Sequence, residues 1–521
     1  TVPVRFSDPL PTEVDVAVIG GGVAGTATAY FLAERGKRVL LCEKGRIAGE
    51  QSSRNWGWIR QQGRDYAELP IMMESNQIWQ GLAEKTGEKD LTFTQQGCLY
   101  LAENAVDMAK YESWYNLAKQ HQLDTELLTP ADVEKRFPGI TGQYVGGMVT
   151  PSDGRGEPFV AIPALARAAQ RAGVAVIEEC AVRTLDVTNG KITGIVTEKG
   201  RVACNAVVLA AGAWSTHFAH NAGVDLPQLA VRCTVARTDV APPLFDGRDD
   251  VPNIRNVGLC LRRRADGGYT LATGTLAEHY LSPKSFKYFA KFIKAMGASW
   301  RDMRLTLGAP RGYPGAWGTP SRWTADEVSP FERMRVLDPP AHPSEIRRLE
   351  RRIGERYPAL AGLKLAEAWA GMIDVTPDVV PTLGEDPALP GMFREAGHQV
   401  AVYDPHYAPD SSVLAGAFDF ITLSEVAEHL AAPGVELDNL WQCLNPGGWL
   451  AIMTKRVRDQ DAFKTWHYIT DPTHTAFFSE ATFFCQTTWP SAVSKQISIP
   501  CLLSVYTRSP STVGVPLGPP S

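Results

Sequence analysis

The hydrophobic pattern of the N-terminal part alternates between strand-length and helix-length segments. Val14–Ile19 is an apolar, β-branched run of strand length, a glycine-rich stretch follows it, and Thr26–Glu34 has the composition of a helix. A second strand is predicted over Arg38–Glu43. The order strand, glycine turn, helix and strand predicts an α/β layer with a parallel sheet.

Part of this pattern, Val16–Ala33, is apolar enough to suggest a membrane span. Four glycines interrupt it, and the acidic residues Glu13 and Asp15 precede it in place of the basic residues of a signal sequence. We therefore expect no transmembrane segment.

The glycine-rich turn has the spacing of a dinucleotide-binding motif, G-x-G-x-x-G. Gly20 allows the tight turn, Gly22 lets the backbone approach a pyrophosphate, and Gly25 permits close packing of the helix. Glu43, at the end of the second strand, can bind ribose hydroxyls. The motif by itself does not distinguish FAD from NAD. The predicted cofactor contacts in this region are Gly20, Gly22, Val23, Ala24, Gly25, Glu43 and Lys44.

Composition and charge narrow the class of protein. With 521 residues, 44% apolar and 21% charged, the chain can form two or three globular domains. The net charge of -5 gives no reason to expect nucleic acid as a partner. The nine cysteines are scattered without a C-x-x-C pair, which argues against a disulfide framework or a zinc site and favours a reducing cytoplasm. The histidines show no metal-ligand spacing, so we expect no metal.

A second landmark follows the predicted ribose acid. Residues 49–63 (GEQSSRNWGWIRQQG) are rich in serine, glycine and tryptophan. This segment resembles the flavin-contacting segment of the superfamily of glycine oxidase, sarcosine oxidase and D-amino-acid oxidase. The resemblance implies that Ser52 and Ser53 pass close to the flavin phosphates and ring.

Further segments resemble the same superfamily in the expected order. Residues 157–172 resemble an element that re-enters the cofactor domain, and residues 174–178 resemble the strand that leads to the adenine. Residues 207–215 resemble the A-A-G-A-W-S turn on the pyrophosphate, and residues 369–378 resemble the strand under the flavin. The cofactor contacts that these matches imply are Val182, Ala211, Gly212, Trp214, Gly371 and Met372.

The resemblance implies an FAD-dependent oxidoreductase. Sarcosine oxidases carry a flavin-linking cysteine upstream of a T-P-D sequence, and the matching position here is Gly371, so non-covalent FAD is expected. The implied reaction oxidises the C–N bond of an amino acid or secondary amine by hydride transfer to flavin N5. The resulting imino acid would hydrolyse to a 2-oxo acid and ammonia. The R-N-W-G-W sequence at 54–58 favours bacterial amino-acid oxidases and deaminases over the sarcosine branch.

Oxygen or a quinone would accept the electrons of this reaction. A cytoplasmic enzyme is expected, with peripheral association with a membrane in the quinone case. The sequence does not determine an oligomeric state.

An amino-acid substrate needs a cation for its carboxylate, and arginine provides bidentate hydrogen bonds. A hairpin is predicted from residues 259–264 and 269–272, with Arg262 and Arg264 on one face of the sheet and Arg263 on the other. These arginines are either substrate ligands or exposed charges of an edge strand. The substrate-binding candidates are the hairpin residues Arg262 and Arg264, the rival pair Arg60 and Gln62, and Tyr269 and Trp369 as an apolar wall. No side chain is assigned a catalytic role, because the flavin is the reactive group.

The chain departs from the superfamily after Phe393. The glycine-rich segment expected at the pyrimidine edge of the flavin is missing. Residues 397–485 instead resemble the later half of a class I S-adenosylmethionine-dependent methyltransferase, and Asp404 matches the acid that binds the cofactor ribose. Because the first strand and its glycine loop are absent, S-adenosylmethionine is not expected to bind. The alternative interpretation is a methyltransferase-related bifunctional or chimeric chain with impaired activity.

The pattern within this C-terminal segment predicts alternating strands and helices. Strands are predicted over 399–403 and 418–423, followed by a helix over 424–430. A helix over Leu437–Leu444, a turn over Asn445–Gly448 and a strand over Trp449–Met453 come next in the sequence.

The predicted fold class is α/β: a Rossmann-type FAD-binding domain, an α+β substrate domain with an antiparallel sheet, and a partial methyltransferase-like segment. The FAD-binding domain is discontinuous. The predicted ranges are 13–65, 150–225 and 365–393 for the FAD-binding domain, 66–149 and 226–364 for the substrate domain, 397–485 for the methyltransferase-like segment, and 486–521 for a partly disordered tail.

Overall fold

The structure is a computed structural model, and it divides into two compact units, Thr1–Thr382 and Leu383–Ser521. It describes residues 4–379 except 67, 190, 246–247, 249, 257, 275–276, 300–302 and 378, and then 401, 411–424, 433–453, 456–457, 478–479 and 503–507. The α/β class predicted from the sequence is confirmed.

Helices and strands alternate along the described chain. The helices are α1 Val23–Glu34, α2 Gln51–Arg54, α3 Leu69–Thr86, α4 Ala105–Gln120, α5 Pro130–Arg136, α6 Pro158–Arg171, α7 Ser215–Asn221, α8 Pro283–Lys287, α9 Phe289–Ser299, α10 Pro330–Arg333, α11 Pro343–Arg356 and α12 Pro433–Gln442. Short 3-10 helices span Lys89–Leu91, Gly212–Trp214, Pro358–Leu360 and Ser411–Ala415.

The strands of the first unit are β1 Val16–Ile19, β2 Val39–Cys42, β3 Trp58–Ile59, β4 Thr94–Gln95, β5 Cys98–Ala102, β6 Glu126–Leu128, β7 Gly146–Thr150, β8 Gly154–Arg155, β9 Ala175–Ile177, β10 Val182–Thr188, β11 Lys191–Thr197, β12 Gly200–Ala203, β13 Ala206–Leu209, β14 Leu229–Thr238, β15 Asn253–Asn256, β16 Leu259–Arg263, β17 Tyr269–Ala272, β18 Ala277–Leu281, β19 Met303–Leu307 and β20 Leu365–Val375. The strands of the second unit are β21 Phe418–Ser424, β22 Leu444–Met453, β23 Arg456–Val457, β24 Phe478–Ser479 and β25 Leu503–Thr507.

A parallel sheet in the order β13-β1-β2-β9 forms the centre of the cofactor layer. Both of its faces are buried: Val18 and Leu41 pack with residues of α1 and α6, whereas Ala17 and Leu40 pack with residues of β10, β11 and β12. Burial on both faces explains why these strands are almost continuously apolar. The carboxyl ends of β1 and β2 therefore present the glycine turn and Glu43 at one edge.

A large sheet forms the second layer of the first unit. Among the described residues its order is β19-β18-β14-β17-β16-β15-β5-β7-β6, with β20 also paired to β14. The predicted antiparallel sheet is in fact mixed, because β5 pairs parallel to β15 and β18 pairs parallel to β19.

Strand β20 differs from its predicted place. The sequence assigned 365–393 to the FAD-binding layer, but Leu365–Val375 pairs antiparallel with Leu229–Thr238 of the large sheet. The pairing extends over nearly the whole of both strands, so β20 belongs to the large sheet by hydrogen bonding. The remainder of the predicted range lies almost entirely outside the described residues.

The second unit contains a small sheet in the order β21-β22-β25. Its first pair is parallel and its second antiparallel. The predicted turn at Asn445–Gly448 lies within β22 as an irregularity, since Phe418 pairs with Leu444 but Phe420 pairs with Trp449. The strand Leu503–Thr507 lies in the predicted tail, so this part of the tail is ordered against β22. The predicted elements at 399–403 and 424–430, and Asp404, lie outside the described residues or at their edge.

Within the described chain, no helix is both long and apolar enough to cross a membrane.

Candidate functional site

The glycine turn connects β1 to α1 at the carboxyl end of the parallel sheet. Gly20 has a φ of +110°, which residues with a side chain avoid, and a Cβ there would collide with the carbonyl oxygen of Ala210. A Cβ at Gly25 would collide with the carbonyl oxygen of Gly20. Gly22 is the N-cap residue of α1 and provides no side-chain cap, so the start of the helix is open to a ligand.

Glu43 follows β2 and faces the same turn. Its carboxylate accepts hydrogen bonds of 2.7 Å from the N–H groups of Gly21 and Gly45. Burial raises the pKa of Glu43 above its ordinary value, and the charge of Lys44 and these two N–H groups oppose that shift. The residue predicted to bind the ribose thus lies beside the glycine turn.

The two predicted serines of α2 make different contacts. Ser52 Oγ accepts a hydrogen bond of 2.9 Å from the N–H of Val23, which joins α2 to the start of α1. Ser53 Oγ donates to the carbonyl oxygen of Glu50 at 3.2 Å. Ala24 is exposed in the first turn of α1. Val23, Ala24 and Ser52 therefore surround the open helix start, whereas the Ser53 hydroxyl bonds within its own segment.

Lys44 is tied to protein groups. Its Nζ lies 2.6 Å from Glu50 Oε1 and donates to the carbonyl oxygens of Met334 and Arg335 at 2.7 and 3.2 Å. Trp214 Nε1 donates to the same Glu50 carboxylate at 3.0 Å, and Lys44 Nζ lies 4.5 Å from the centre of the Trp214 ring. Lys44 and Trp214 thus both bind the carboxylate of Glu50, and Lys44 also connects it to the backbone of residues 334–335.

The remaining predicted residues of the cofactor layer lie in its core or beside the turn. Val182 and Met372 belong to the buried core below the sheet. Ala211 packs against that core, and its Cα would lie 3.1 Å from a Cβ at Gly20. Gly212 begins the 3-10 helix that follows. Ala211 and Gly212 are thus next to the glycine turn, as the resemblance implied.

Strand β20 approaches α2 closely at Gly371. A Cβ at Gly371 would collide with Gln51 Oε1 and lie 3.2 Å from the Cβ of Arg54. Trp369 Nε1 donates to the carbonyl oxygen of Arg54 at 3.1 Å, and its ring packs edge-on against Phe159 at 5.6 Å. Close packing against α2 therefore favours glycine at position 371, which matches the position of the flavin-linking cysteine in sarcosine oxidases.

A cavity of about 400 Å³ lies beside the glycine turn, among α2, β3, α3 and α6. Val23 and Ser52 line it, as do the indole rings of Trp56, Trp58 and Trp79. Trp56 and Trp58 pack edge to face with ring centres 5.3 Å apart. The other lining residues are Gln51, Arg54, Asn55, Gly57, Ile59, Arg60, Arg64, Met72, Ser75, Gly156, Pro158, Ala161, Ile162, Cys233, Val235 and Ile373.

Several buried polar atoms at this cavity have no partner among the described residues. They are Gln51 Oε1, Arg54 Nε and Arg64 Nε, with Arg262 Nε behind Gly57. Each such atom costs about 1–3 kcal/mol when nothing pairs with it. FAD, which carries both donors and acceptors, would satisfy the two atoms of α2, Gln51 Oε1 and Arg54 Nε. The residues present therefore fit FAD.

The hairpin arginines are buried and paired. Arg262 and Arg264 are 2% and 9% exposed, so the alternative that they are exposed edge-strand charges is wrong. Arg262 Nη1 lies 2.9 Å from Glu157 Oε1, and Arg264 pairs with Asp266 in the hairpin turn. Arg263, also buried, stacks over the ring of Tyr269 at 4.9 Å.

Arg60 lies in the cavity wall and differs from these arginines. It donates to the carbonyl oxygen of Gln62 and forms no ion pair with any residue that the structure describes. Arg54, in the same wall, pairs with Asp338. Of the predicted carboxylate ligands, Arg60 alone lines the cavity among the described residues.

Besides Trp369, which bonds to the Arg54 carbonyl oxygen, the predicted substrate residues Gln62 and Tyr269 do not line the cavity. Gln62 is fully buried, and its Oε1 accepts a hydrogen bond of 2.8 Å from Thr150. Tyr269 is also fully buried; its hydroxyl donates to the carbonyl oxygen of Pro242 and accepts from the N–H of Leu244. The side chains of both residues are used inside the large sheet.

Sequence reasoning missed most of the cavity wall. Met72 and Trp79 come from α3, Cys233 from β14 and Ile373 from β20, so no local motif connects them. Arg64 is the exception, because it directly follows the recognised segment 49–63.

The parallel sheet, the glycine turn with its acid and the adjoining cavity define a Rossmann-type dinucleotide-binding protein. The family described as FAD dependent oxidoreductase matches residues 15–401, and the chain belongs to this family. A methyltransferase domain family matches residues 329–484. The two matches overlap, and in the overlap β20 pairs with β14 of the first unit.

The chain is similar to several proteins of known activity. Mitochondrial sarcosine dehydrogenase of Mus musculus is 30% identical over 282 residues, 51% of this chain, but the match spans only 30% of that relative. Glycine oxidase of Geobacillus kaustophilus is 27% identical over 74% of this chain and 87% of its own. The structure of L-amino acid deaminase from Proteus myxofaciens in complex with anthranilate has a TM-score of 0.68 at 29% identity, over 74% of this chain and 86% of its own.

Proposed function

We propose that the protein oxidises the C–N bond of an amino acid with non-covalent FAD. The observation that carries this proposal is Arg60, which lies in the wall of the cavity beside the glycine turn and lacks an ionic partner among the described residues. A substrate carboxylate would be that partner, in the bidentate geometry that arginine favours.

Different residues around the cavity would bind the cofactor and the substrate. Gly22 would leave room for the pyrophosphate, Gly20 and Gly25 allow the tight turn and the close packing of α1 on it, and Glu43 would bind the ribose. Trp56 and Trp58 exclude water from the reacting carbon, and Arg60 orients the substrate. When bound, FAD supplies the acceptor for the hydride of the substrate Cα. The imino acid product would hydrolyse in water to a 2-oxo acid and ammonia.

The test is the visible spectrum of the purified, FAD-loaded protein with a panel of L- and D-amino acids without oxygen. We expect bleaching of the flavin band by at least one amino acid, which identifies substrate and handedness together. Readmission of air or of a quinone then identifies the electron acceptor by the faster recovery of the band. Failure of every amino acid and amine to bleach the bound flavin would refute the proposal.

Two leucine variants decide which arginine binds the carboxylate. We expect Arg60→Leu to weaken substrate binding about 100-fold, because one charge-assisted bidentate contact is lost. Arg136→Leu is the control, since Arg136 pairs with Glu126 at the surface outside the cavity lining. If Arg262→Leu abolishes substrate binding while Arg60→Leu does not, the role belongs to Arg262.

The methyltransferase match favours methyl transfer as a second candidate function. Among the described residues, however, its N-terminal part consists of α10, α11 and β20, and β20 is paired within the first unit. We therefore propose methyl transfer only as the alternative to be tested with S-adenosylmethionine.

A further inference from the structure

The cavity has a strongly unbalanced charge. Among the described residues that line it, there are three arginines, Arg54, Arg60 and Arg64, and no aspartate or glutamate. Arg54 has the carboxylate of Asp338 as a partner from outside the cavity. Among the described lining residues, no carboxylate therefore balances the charges of Arg60 and Arg64, and the rest of the cavity wall is largely apolar.

Arg64 has a weak partner only. Its Nη1 lies 3.6 Å from Glu68 Oε2, beyond the usual range of a charge-assisted hydrogen bond. Its Nε is buried and has no hydrogen-bond partner among the described residues. Arg64 thus resembles Arg60 in offering unused donors toward the cavity.

Arg60 and Arg64 are close enough to influence each other. Burial lowers the pKa of Arg64 and the positive charge of Arg60 lowers it further, while the carboxylate of Glu68 opposes the shift. A single substrate carboxylate on Arg60 would leave the second guanidinium partly buried and poorly compensated. Uncompensated buried charge is strongly unfavourable, whereas a second anion would remove the penalty.

We infer that the substrate is an amino acid with a second acidic group, and that Arg64 binds this group while Arg60 binds the α-carboxylate. The inference rests on the proposed function and adds the substrate class to it. Trp56, Trp58 and Trp79 then enclose the carbon chain between the two carboxylates, where dispersion contacts and exclusion of water strengthen both ion pairs.

Equilibrium binding tests the inference without turnover. Glutarate and pentanoate have the same number of carbon atoms but differ by one carboxylate, and neither has an amine to oxidise. We expect calorimetry with the FAD-loaded full chain to give glutarate at least about 30-fold tighter binding, in line with one additional charge-assisted contact. Arg64→Met should reduce this ratio to nearly one and leave the affinity for pentanoate within about 3-fold.

Control variants separate Arg64 from other roles. Arg136→Met, a surface change outside the cavity lining, should keep the glutarate preference. Arg64→Met should retain FAD, as measured by flavin absorbance per protein. Loss of FAD from Arg64→Met would overturn the inference, because Arg64 would then serve the cofactor.

Flavin bleaching by isosteric substrates completes the test. We expect glutamate to bleach the flavin with an efficiency at least about 30-fold above glutamine, and Arg64→Met to remove the difference. Equal bleaching by the two would overturn the second acidic site while leaving amino-acid oxidation in place. Absence of bleaching by any amino acid would overturn both proposals.

Discussion

At the scale of single residues, the contact between Gly25 and Gly20 is a tight backbone constraint. We expect Gly25→Ala to displace the start of α1, because the new Cβ would meet the Gly20 carbonyl oxygen, and to weaken FAD binding at least about 10-fold, roughly 1.4 kcal/mol. FAD titration followed by flavin fluorescence measures this change. Gly81→Ala is the control, since nothing lies within 4 Å of its new Cβ on α3. Equal FAD affinities of the two variants would contradict the role of Gly25.

We expect His217 to make the stability of the first unit depend on pH. Burial lowers the pKa of His217 to about 4, the charge of Lys284 adds to the shift, and the hydrogen bond to the Pro320 carbonyl oxygen opposes it. Because the ordinary value is about 6.5, the unfolded chain binds the proton more tightly. The free energy of unfolding should therefore fall by up to about 3 kcal/mol as the pH drops from about 6.5 to about 4.

Urea unfolding at several pH values measures that slope. His217→Phe keeps a flat ring to stack on Trp323, whose centre lies 5.4 Å away, and removes the titrating group. We expect the variant to lose stability less steeply between pH 6.5 and 4. Identical pH slopes for the two proteins would rule out His217 as the source.

The place of an individual residue could be predicted from the sequence where it depends on its neighbours in the chain. Gly20, Gly25 and Glu43 are fixed by the turn itself, and the structure brings them together. Gln62 was predicted from its place just past the flavin-contacting segment and Tyr269 from its place in the predicted hairpin, and neither place in the sequence shows which groups pack against the side chain. For both residues those groups are hydrogen-bond partners inside the protein.

At the scale of elements, the short helix α10 depends on one carboxylate. Glu332 accepts hydrogen bonds of 2.8 Å from the Ser329 N–H and from Arg183. Burial raises the pKa of Glu332, but the hydrogen bonds from Arg183 and Ser329 prevail and lower it to about 2. This stabilisation is present above about pH 4.5 and is lost as the pH falls toward 2.

We expect Glu332→Gln to lower the free energy of unfolding by about 1–3 kcal/mol at pH 7, because a capping contact and a charged hydrogen bond are weakened. The difference from the wild type should shrink as the pH approaches 2. Glu126→Gln, which alters an exposed pair with Arg136, should cost less than about 1 kcal/mol. A Glu332→Gln effect that is independent of pH would contradict the assignment.

The predicted elements β1, α1 and β2 followed from their hydrophobic pattern, whereas pairing between strands far apart in the sequence did not. The segment of β20 was recognised, yet its pairing with β14 was not foreseen, because strand pairing joins residues far apart in sequence. The cavity has the same origin, since α3, β14 and β20 each contribute wall residues. The glycine turn and its acid could thus be predicted from a contiguous motif, whereas the cavity wall required the assembled fold.

At the scale of the whole molecule, the second unit could bind a second cofactor, S-adenosylmethionine, only if it contained a complete nucleotide site. In the second unit the structure describes one parallel pair in the sheet of β21, β22 and β25, and the antiparallel partner β25 closes one side of β22. Parallel-sheet nucleotide sites are built at the carboxyl ends of several adjacent parallel strands, with a glycine turn beside them. The sequence of this unit has no such glycine loop before its first predicted strand.

We therefore expect calorimetry of the full chain with S-adenosylmethionine to give no saturable heat at millimolar ligand, and the midpoint of thermal unfolding to stay constant. FAD added to the same protein should raise that midpoint, because a ligand that binds only the folded state stabilises it by mass action. The FAD measurement ensures that a negative result with S-adenosylmethionine comes from folded protein. Saturable heat with one equivalent of S-adenosylmethionine would show that the second unit completes a cofactor site despite its missing loop, and would favour the bifunctional interpretation of the chain.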